Sequence, residues 1–134
     1  MTWTTNELYE LAAAQDDWVV EREGEVLSIS NDEGLDAYIY AGEKQVVIET
    51  ALFPADAVRD TAELNQLILE THQLVPLSTI GISVIGGDKY YVAFGSLSSA
   101  SKPEVVIEEI ETLFANTPEF LDLFSQYLNL EDVA

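Results

Sequence analysis

A serine-rich segment holds the spacing that comes nearest to a catalytic motif in this sequence. Ser99 and Lys102 match S-x-x-K, in which a lysine can deprotonate a nucleophilic serine. The partner motifs S-D-N and K-T-G are absent, and the neighbouring Ser96, Ser98 and Ser101 make the spacing expected by chance. Serines that precede a helix also form hydrogen-bonded turns and N-caps, which is the interpretation we favour.

The single histidine is the next candidate for chemistry. Histidine is the residue type whose charge can change in the physiological pH range, which makes His72 a candidate pH-responsive contact. One histidine without a second nitrogen or thiolate ligand makes a poor transition-metal site. We therefore interpret His72 as a capping or contact residue near the negative end of a helix dipole.

An acidic turn around Gly34 could hold Ca²⁺ weakly, through the side chains of Asn31, Asp32, Glu33 and Asp36. An EF-hand loop would need a glutamate six residues after its glycine, where Tyr40 stands here. A polar hairpin turn is the better interpretation. Glycine motifs that cradle nucleotide phosphates are also absent, so no metal and no cofactor is predicted.

Charge is the most unusual property of the composition. The 134 residues include 25 acidic and 5 basic side chains, a formal net charge of −20. Such a surface repels phosphate groups, which disfavours binding to nucleic acids and to anionic membranes. Either a basic partner is favoured, or the acidity serves only solubility.

The compartment predicted from the sequence is the cytoplasm. The N-terminus lacks the basic region and apolar run of a signal peptide. No segment approaches the roughly 18 continuous apolar residues of a membrane span, so no direct membrane insertion is predicted. Cysteine is absent, which excludes disulfides and thiolate chemistry.

Length and periodicity predict one α+β domain, 1–134. Capping residues and apolar stripes predict helices at 4–15, 60–74, 102–116 and 117–129, with Asn116 as the C-cap of the third. Alternation predicts strands at 25–30, 35–41, 45–53, 80–85 and 89–97, while 18–23 is either a further strand or a lead-in. The expected fold is an antiparallel sheet of five to six strands with helices packed on it, in the order α, three or four strands, α, two strands, α, α.

The last predicted helix carries apolar residues on more than one face. A helix that packs only on its own sheet needs a single apolar stripe. The excess predicts a dimer or partner-binding surface, and deeper burial within the monomer is the alternative. The residues predicted for this surface are Phe120, Leu123, Phe124 and Tyr127.

Two segments resemble parts of type III secretion chaperones. GEVLSISNDEGLDAYIYAGEKQVVIETALFP resembles their three-stranded meander, and LNQLILETHQLV followed by IGISVIGGDKYYVAF resembles their second helix and hairpin. These chaperones form homodimers and bind an extended partner segment along the first helix and the sheet. The resemblance implies that Leu8, Leu11 and the strand at 25–30 contribute to such a surface.

A closer resemblance, through HQLVPLSTIGI and YYVAFGSLSS, is to YjfI-type bacterial proteins. Those proteins are associated with PspA-like envelope-stress proteins, which implies a cytoplasmic accessory or chaperone-like binder. The resemblance brings no catalytic residues with it.

A non-enzymatic protein that binds a protein partner is therefore the function we predict. The alternative is a small hydrolase that uses carboxylates and Ser99 or His72, which requires those groups to meet in one pocket. A third option is an acidic mimic of nucleic acid, which requires two rows of carboxylates on one face.

Overall fold

The computed structural model describes residues 2–72 and 78–128. Within these ranges the chain forms a six-stranded antiparallel sheet and three α-helices that share one hydrophobic core with it. The elements are α1 (Thr5–Ala13), β1 (Val19–Glu23), β2 (Val26–Ser30), β3 (Asp36–Ala41), β4 (Gln45–Pro54), α2 (Thr61–Thr71), β5 (Thr79–Ile85), β6 (Asp88–Ser98) and α3 (Pro103–Phe124), with short 3₁₀ helices at Ala55–Ala57 and Ser125–Tyr127.

The strands lie in the order β1-β2-β3-β4-β6-β5. The first four form a meander, and β6 pairs with β4 while β5 takes the edge. The segment 18–23 contains a true strand, since Val19 to Glu23 pair with β2 along their whole length. The predicted α+β class and the sheet of five to six strands are confirmed.

Side-chain caps start the first two helices as their sequences predict. The Thr4 hydroxyl accepts a hydrogen bond from the Glu7 amide at 3.2 Å, and the Glu7 carboxylate accepts one from the Thr4 amide at 3.1 Å. The Asp60 carboxylate caps α2 by accepting from the Glu63 amide at 3.1 Å. The predicted end of this helix at Leu74 lies outside the described residues.

The C-terminal part differs from its prediction, because α3 is one helix rather than two. It runs through Asn116, the predicted C-cap, and through Pro118. A proline inside a helix removes a hydrogen bond and costs about 3 kcal/mol. Phe114 and Phe120, on either side of Pro118, are both buried in the core, and this burial offsets the cost. The α-helix ends at Phe124 and a 3₁₀ turn follows it at Ser125–Tyr127, so the helix stops short of its predicted end at 129.

The long strand β4 also departs from simple alternation. Val46 and Ile48 lie on one face of the strand and point toward the helices, but a register shift lies between Ala51 and Phe53. Phe53 is therefore buried in the core, and Leu52, which strict alternation places there, is only partly buried. The Phe53 ring packs against Tyr91 with 5.3 Å between centroids.

Candidate protein-binding surfaces

The serine-rich segment forms a turn, and no catalytic pair is assembled there. Ser99 is buried; its amide donates to the Lys44 carbonyl at 3.2 Å, and its carbonyl accepts from the Trp3 amide at 3.0 Å. The Ser98 hydroxyl accepts a hydrogen bond from the Ala100 amide at 3.2 Å, as expected for a serine in a hydrogen-bonded turn. Lys102 is exposed at the start of α3, where its side chain makes no capping hydrogen bond.

His72 lies apart from these residues, at the C-terminal end of α2. It lines a cleft of about 340 Å³ with Asn65, Leu69, Ile82 and Tyr91, and its buried Nε2 has no hydrogen-bond partner. Lys102 lines a different cleft, beside the N-terminus of α1. The groups required by the hydrolase alternative are therefore not brought together.

The acidic turn uses its amide oxygen to order its own backbone. The Asn31 Oδ1 accepts from the amides of Glu33 at 3.1 Å and Leu35 at 2.8 Å, and Gly34 adopts a φ of 84°. This is the polar hairpin turn predicted from the sequence. Across residues 2–72 and 78–128, no three histidine or carboxylate side chains converge in a way that could hold a metal ion.

Glu109 is a buried carboxylate for which no role was predicted from the sequence. It lies on α3 directly over Gly95 of β6, with so little space that a Cβ at Gly95 would stand 1.7 Å from its Oε1. Burial, and secondarily the neighbouring Glu108 carboxylate, raise the pKa of Glu109. Its helical spacing from Val106 and Leu113 puts Glu109 on the core face of the helix. That spacing is the feature of the sequence from which its burial could have been predicted.

The surface predicted on the last helix is smaller than its sequence suggests. Phe120 and Phe124 stack at 6.0 Å between ring centroids inside the core, so the excess apolar surface is largely buried within the protein. Leu8, predicted on the first helix, is buried in the same core. Leu123 is 40% exposed, and the partly buried Leu11 and Tyr127 pack at the edge of the core. Partner contact through these last three residues stays a prediction.

An apolar surface that was not predicted from the sequence lies at the β5 edge of the sheet. We call it the edge patch, and it consists of Leu69 on α2 with Ile82, Val84 and Ile85 on β5. Leu69 is 73% exposed and Val84 is 67% exposed. In the described chain, the outer edge of β5 pairs with no strand, so its backbone groups are also free to bind.

The second surface is the face of the sheet that points away from the helices, which we call the open face. Strand register places Tyr38, Glu49 and Phe94 side by side across β3, β4 and β6. The next row contains Tyr40 and Val47. Burial raises the pKa of the half-buried Glu49, for which no ion pair occurs among the described residues.

The arrangement of elements matches a known class of fold. A chain of the HopA1–SchA chaperone–effector complex superposes with a TM-score of 0.60 at 12% identity, covering 84% of this chain and 88% of that chain. The protein therefore has the fold of a type III secretion chaperone, as the sequence resemblance predicts. An identity this low establishes the fold alone.

Sequence comparison identifies the family. The chain belongs to the family of uncharacterized proteins conserved in bacteria (DUF2170), whose model matches residues 2–128. It is 31% identical over 110 residues to the uncharacterized protein YjfI of Escherichia coli K12, covering 81% of this chain and 83% of that protein. The YjfI protein of Escherichia coli O157:H7 matches with the same identity and coverage.

A helix that crosses a bilayer must be both long and apolar. In the described part of the chain, no helix is both long and apolar enough to cross a bilayer.

Proposed function

We propose that this protein is a non-enzymatic, cytoplasmic accessory protein that binds another protein in a chaperone-like or regulatory role. The observation that carries the proposal is the edge patch, where exposed aliphatic side chains lie beside an unpaired strand edge. Exposed apolar surface of this kind marks sites of protein contact. The fold supports the proposal, because the similar solved chain comes from a chaperone–effector complex.

When the partner is absent, we propose that a second copy packs on the same edge patch. Natural proteins usually protect an edge strand with charge, proline or a bulge, and Ile82, Val84 and Ile85 provide none of these. A symmetric pair of copies would cover both edges at once. Leu123, the exposed member of the predicted C-terminal set, offers a further contact for a partner.

A PspA-like envelope-stress protein is the partner we propose, on the basis of the resemblance to YjfI-type proteins. The test is a tagged pull-down from the native host with soluble and membrane fractions kept separate, washed at low and high salt and analysed by mass spectrometry. A stoichiometric PspA-like protein that survives high salt is the expected result. Recovery of only salt-labile basic proteins would contradict an apolar binding surface.

Light scattering tests the homodimer separately. Val84→Lys places a charge on the edge patch and is expected to yield a monomer, whereas Val19→Lys, on the exposed opposite edge strand, serves as the control. A protein that is monomeric before substitution, at all concentrations measured, would refute the dimer without affecting the proposed partner.

A further inference from the structure

The open face is covered by no helix of the described chain, yet many of its side chains are not those of a solvated sheet surface. Antiparallel sheets that face water usually alternate apolar side chains inward with polar side chains outward. Here the outward positions include Tyr38, Tyr40, Val47 and Phe94. Val92 also points outward by register and is fully buried at 0% exposure, outside the helix-side core cluster.

The charge of the open face has one sign. By register, its carboxylates are those of Glu21, Glu23, Asp36, Glu49 and Asp88. The chain has 5 basic residues, and none of them lies on this face. Arg22 and Lys89 alternate to the helix side of the sheet, and the others, Lys44, Arg59 and Lys102, lie outside the strands. The face is therefore complementary to a cationic partner.

Glu49 stands at the centre of this face. Directly paired positions in an antiparallel sheet place Cβ atoms about 5 Å apart, so Tyr38 lies beside Glu49 on one side and Phe94 on the other, with the Phe94 ring directed toward Gly81 of β5. Burial by these neighbours penalises its charged form, and no described cation offsets that penalty. A lysine or arginine side chain placed there would meet a carboxylate, with the Tyr38 side chain on the neighbouring strand beside it.

The backbone of the sheet restricts what kind of segment can bind. Strands β3, β4 and β6 are paired on both sides, so they offer no free backbone groups on their faces. A segment buried there must satisfy its own backbone hydrogen bonds, as a helix does. A helix about 10 Å in diameter matches the width of three strands about 4.8 Å apart.

We propose that the open face binds a basic amphipathic helix of a partner protein. Its apolar side chains pack on Tyr40, Val47 and Ala51, and a lysine or arginine side chain reaches Glu49 in the row that runs from Tyr38 to Phe94. The inference rests on the proposed function, because it names the chemistry of the partner that a protein-binding protein would take. It uses a different surface from the edge patch, so the two can be separated.

Calorimetric titration with defined helical peptides tests this inference. The probe is a synthetic peptide of roughly 18 residues, with a leucine and alanine stripe flanked by lysines. In the matched peptide every lysine is replaced by glutamate. The lysine peptide is expected to bind and the glutamate peptide is not. Glu49→Gln is expected to weaken binding at least about tenfold, because it removes the partner of a desolvated cation.

Three variants distinguish binding at Glu49 from binding elsewhere on the protein. Tyr40→Ser is expected to weaken binding, whereas Glu104→Gln, which removes the same charge from an exposed site on α3, is expected to change affinity less than about twofold. Leu69→Ser alters only the edge patch and is expected to have no effect. Circular dichroism confirms that each variant is folded.

Several results would overturn the inference. A lysine peptide that does not bind, or that binds no better than the glutamate peptide, contradicts a cationic helix. If Glu49→Gln and Glu104→Gln lose the same affinity for the lysine peptide, the peptide is attracted by the overall acidity of the protein and not by a site at Glu49. Sensitivity to Leu69→Ser without sensitivity to Glu49→Gln places binding at the edge patch, which removes this inference and leaves the proposed function standing.

Discussion

The contact between Gly95 and Glu109 predicts that the effect of Gly95→Ala on stability changes sign when the Glu109 side chain is removed. In the Gly95→Ala variant, the added Cβ would lie 1.7 Å from Oε1, 2.7 Å from Cδ and 3.2 Å from Cγ of Glu109. The carboxylate must move, and it is enclosed between α3 and the sheet. Overpacking of this kind costs about 1–3 kcal/mol of folding free energy. Against that, replacing glycine by alanine within a strand contributes about 0.5–1 kcal/mol.

Removing the obstructing side chain is expected to reverse the effect. In a Glu109→Ala background the space over position 95 is vacant, so Gly95→Ala is expected to stabilise the protein by about 0.5–1 kcal/mol. In the native background it is expected to destabilise by about 1–2 kcal/mol. The difference is a coupling energy of roughly 2 kcal/mol, within the range for residues in direct contact.

Urea unfolding measures all four members of this double-mutant cycle. Trp18 packs edge-on against Phe114 with 6.0 Å between ring centroids, so its fluorescence reports on the helix-side core. Gly81→Ala is the control, because its Cβ would meet Phe94 on the open face and it should cost the same in both backgrounds. Equal costs of Gly95→Ala with and without the Glu109 side chain would refute the reasoning.

Three further predictions concern charge and capping. Burial raises the pKa of Glu109 above its ordinary value of 4.5, so the folded state binds more protons and stability falls as pH rises through this window. Glu109→Gln is expected to flatten the fall in melting temperature as pH rises above 4.5, and an unchanged slope of melting temperature against pH would exclude this cause. Raising NaCl from about 10 mM to about 200 mM screens the repulsion that follows from a net charge of −20, so the melting temperature should rise. A melting temperature that does not change with salt would contradict destabilisation by charge repulsion. Thr4→Ala breaks the capping box of α1 and is expected to cost about 1 kcal/mol in urea unfolding, whereas Thr2→Ala at the exposed N-terminus should be neutral.

Local patterns were sufficient to predict most of the elements. Alternation located the strands, and the side chains of Thr4 and Asp60 marked helix starts at the residues where the structure has them. The predictions failed where tertiary packing outweighed a local rule. Pro118 favours a break, but the buried aromatic residues around it keep α3 continuous.

The binding surfaces were harder to predict than the fold. Two alternating sets of side chains in β3, Ala37 with Ile39 and Tyr38 with Tyr40, are both hydrophobic enough to face a core. Alternation shows that the sets lie on opposite faces, but only the packing of the helices shows which set is left uncovered. The edge patch could not be predicted from the sequence either, because the position of β5 at the edge follows from the order of strands in space.

That order also has a consequence for how the chain reaches its native state. Every ladder in the sheet joins consecutive strands except the one between β4 and β6. The meander and the β5–β6 hairpin can each form through local contacts, but joining them requires the ends of a long intervening segment to meet, which is entropically slow. Phe53→Leu, in the part of β4 that pairs with β6 and not with β3, is therefore expected to slow refolding, whereas Ile29→Val in the meander should mainly speed unfolding. Stopped-flow measurements of the refolding and unfolding rates would distinguish the two variants. Formation of the β4–β6 ladder is then the rate-limiting step of folding.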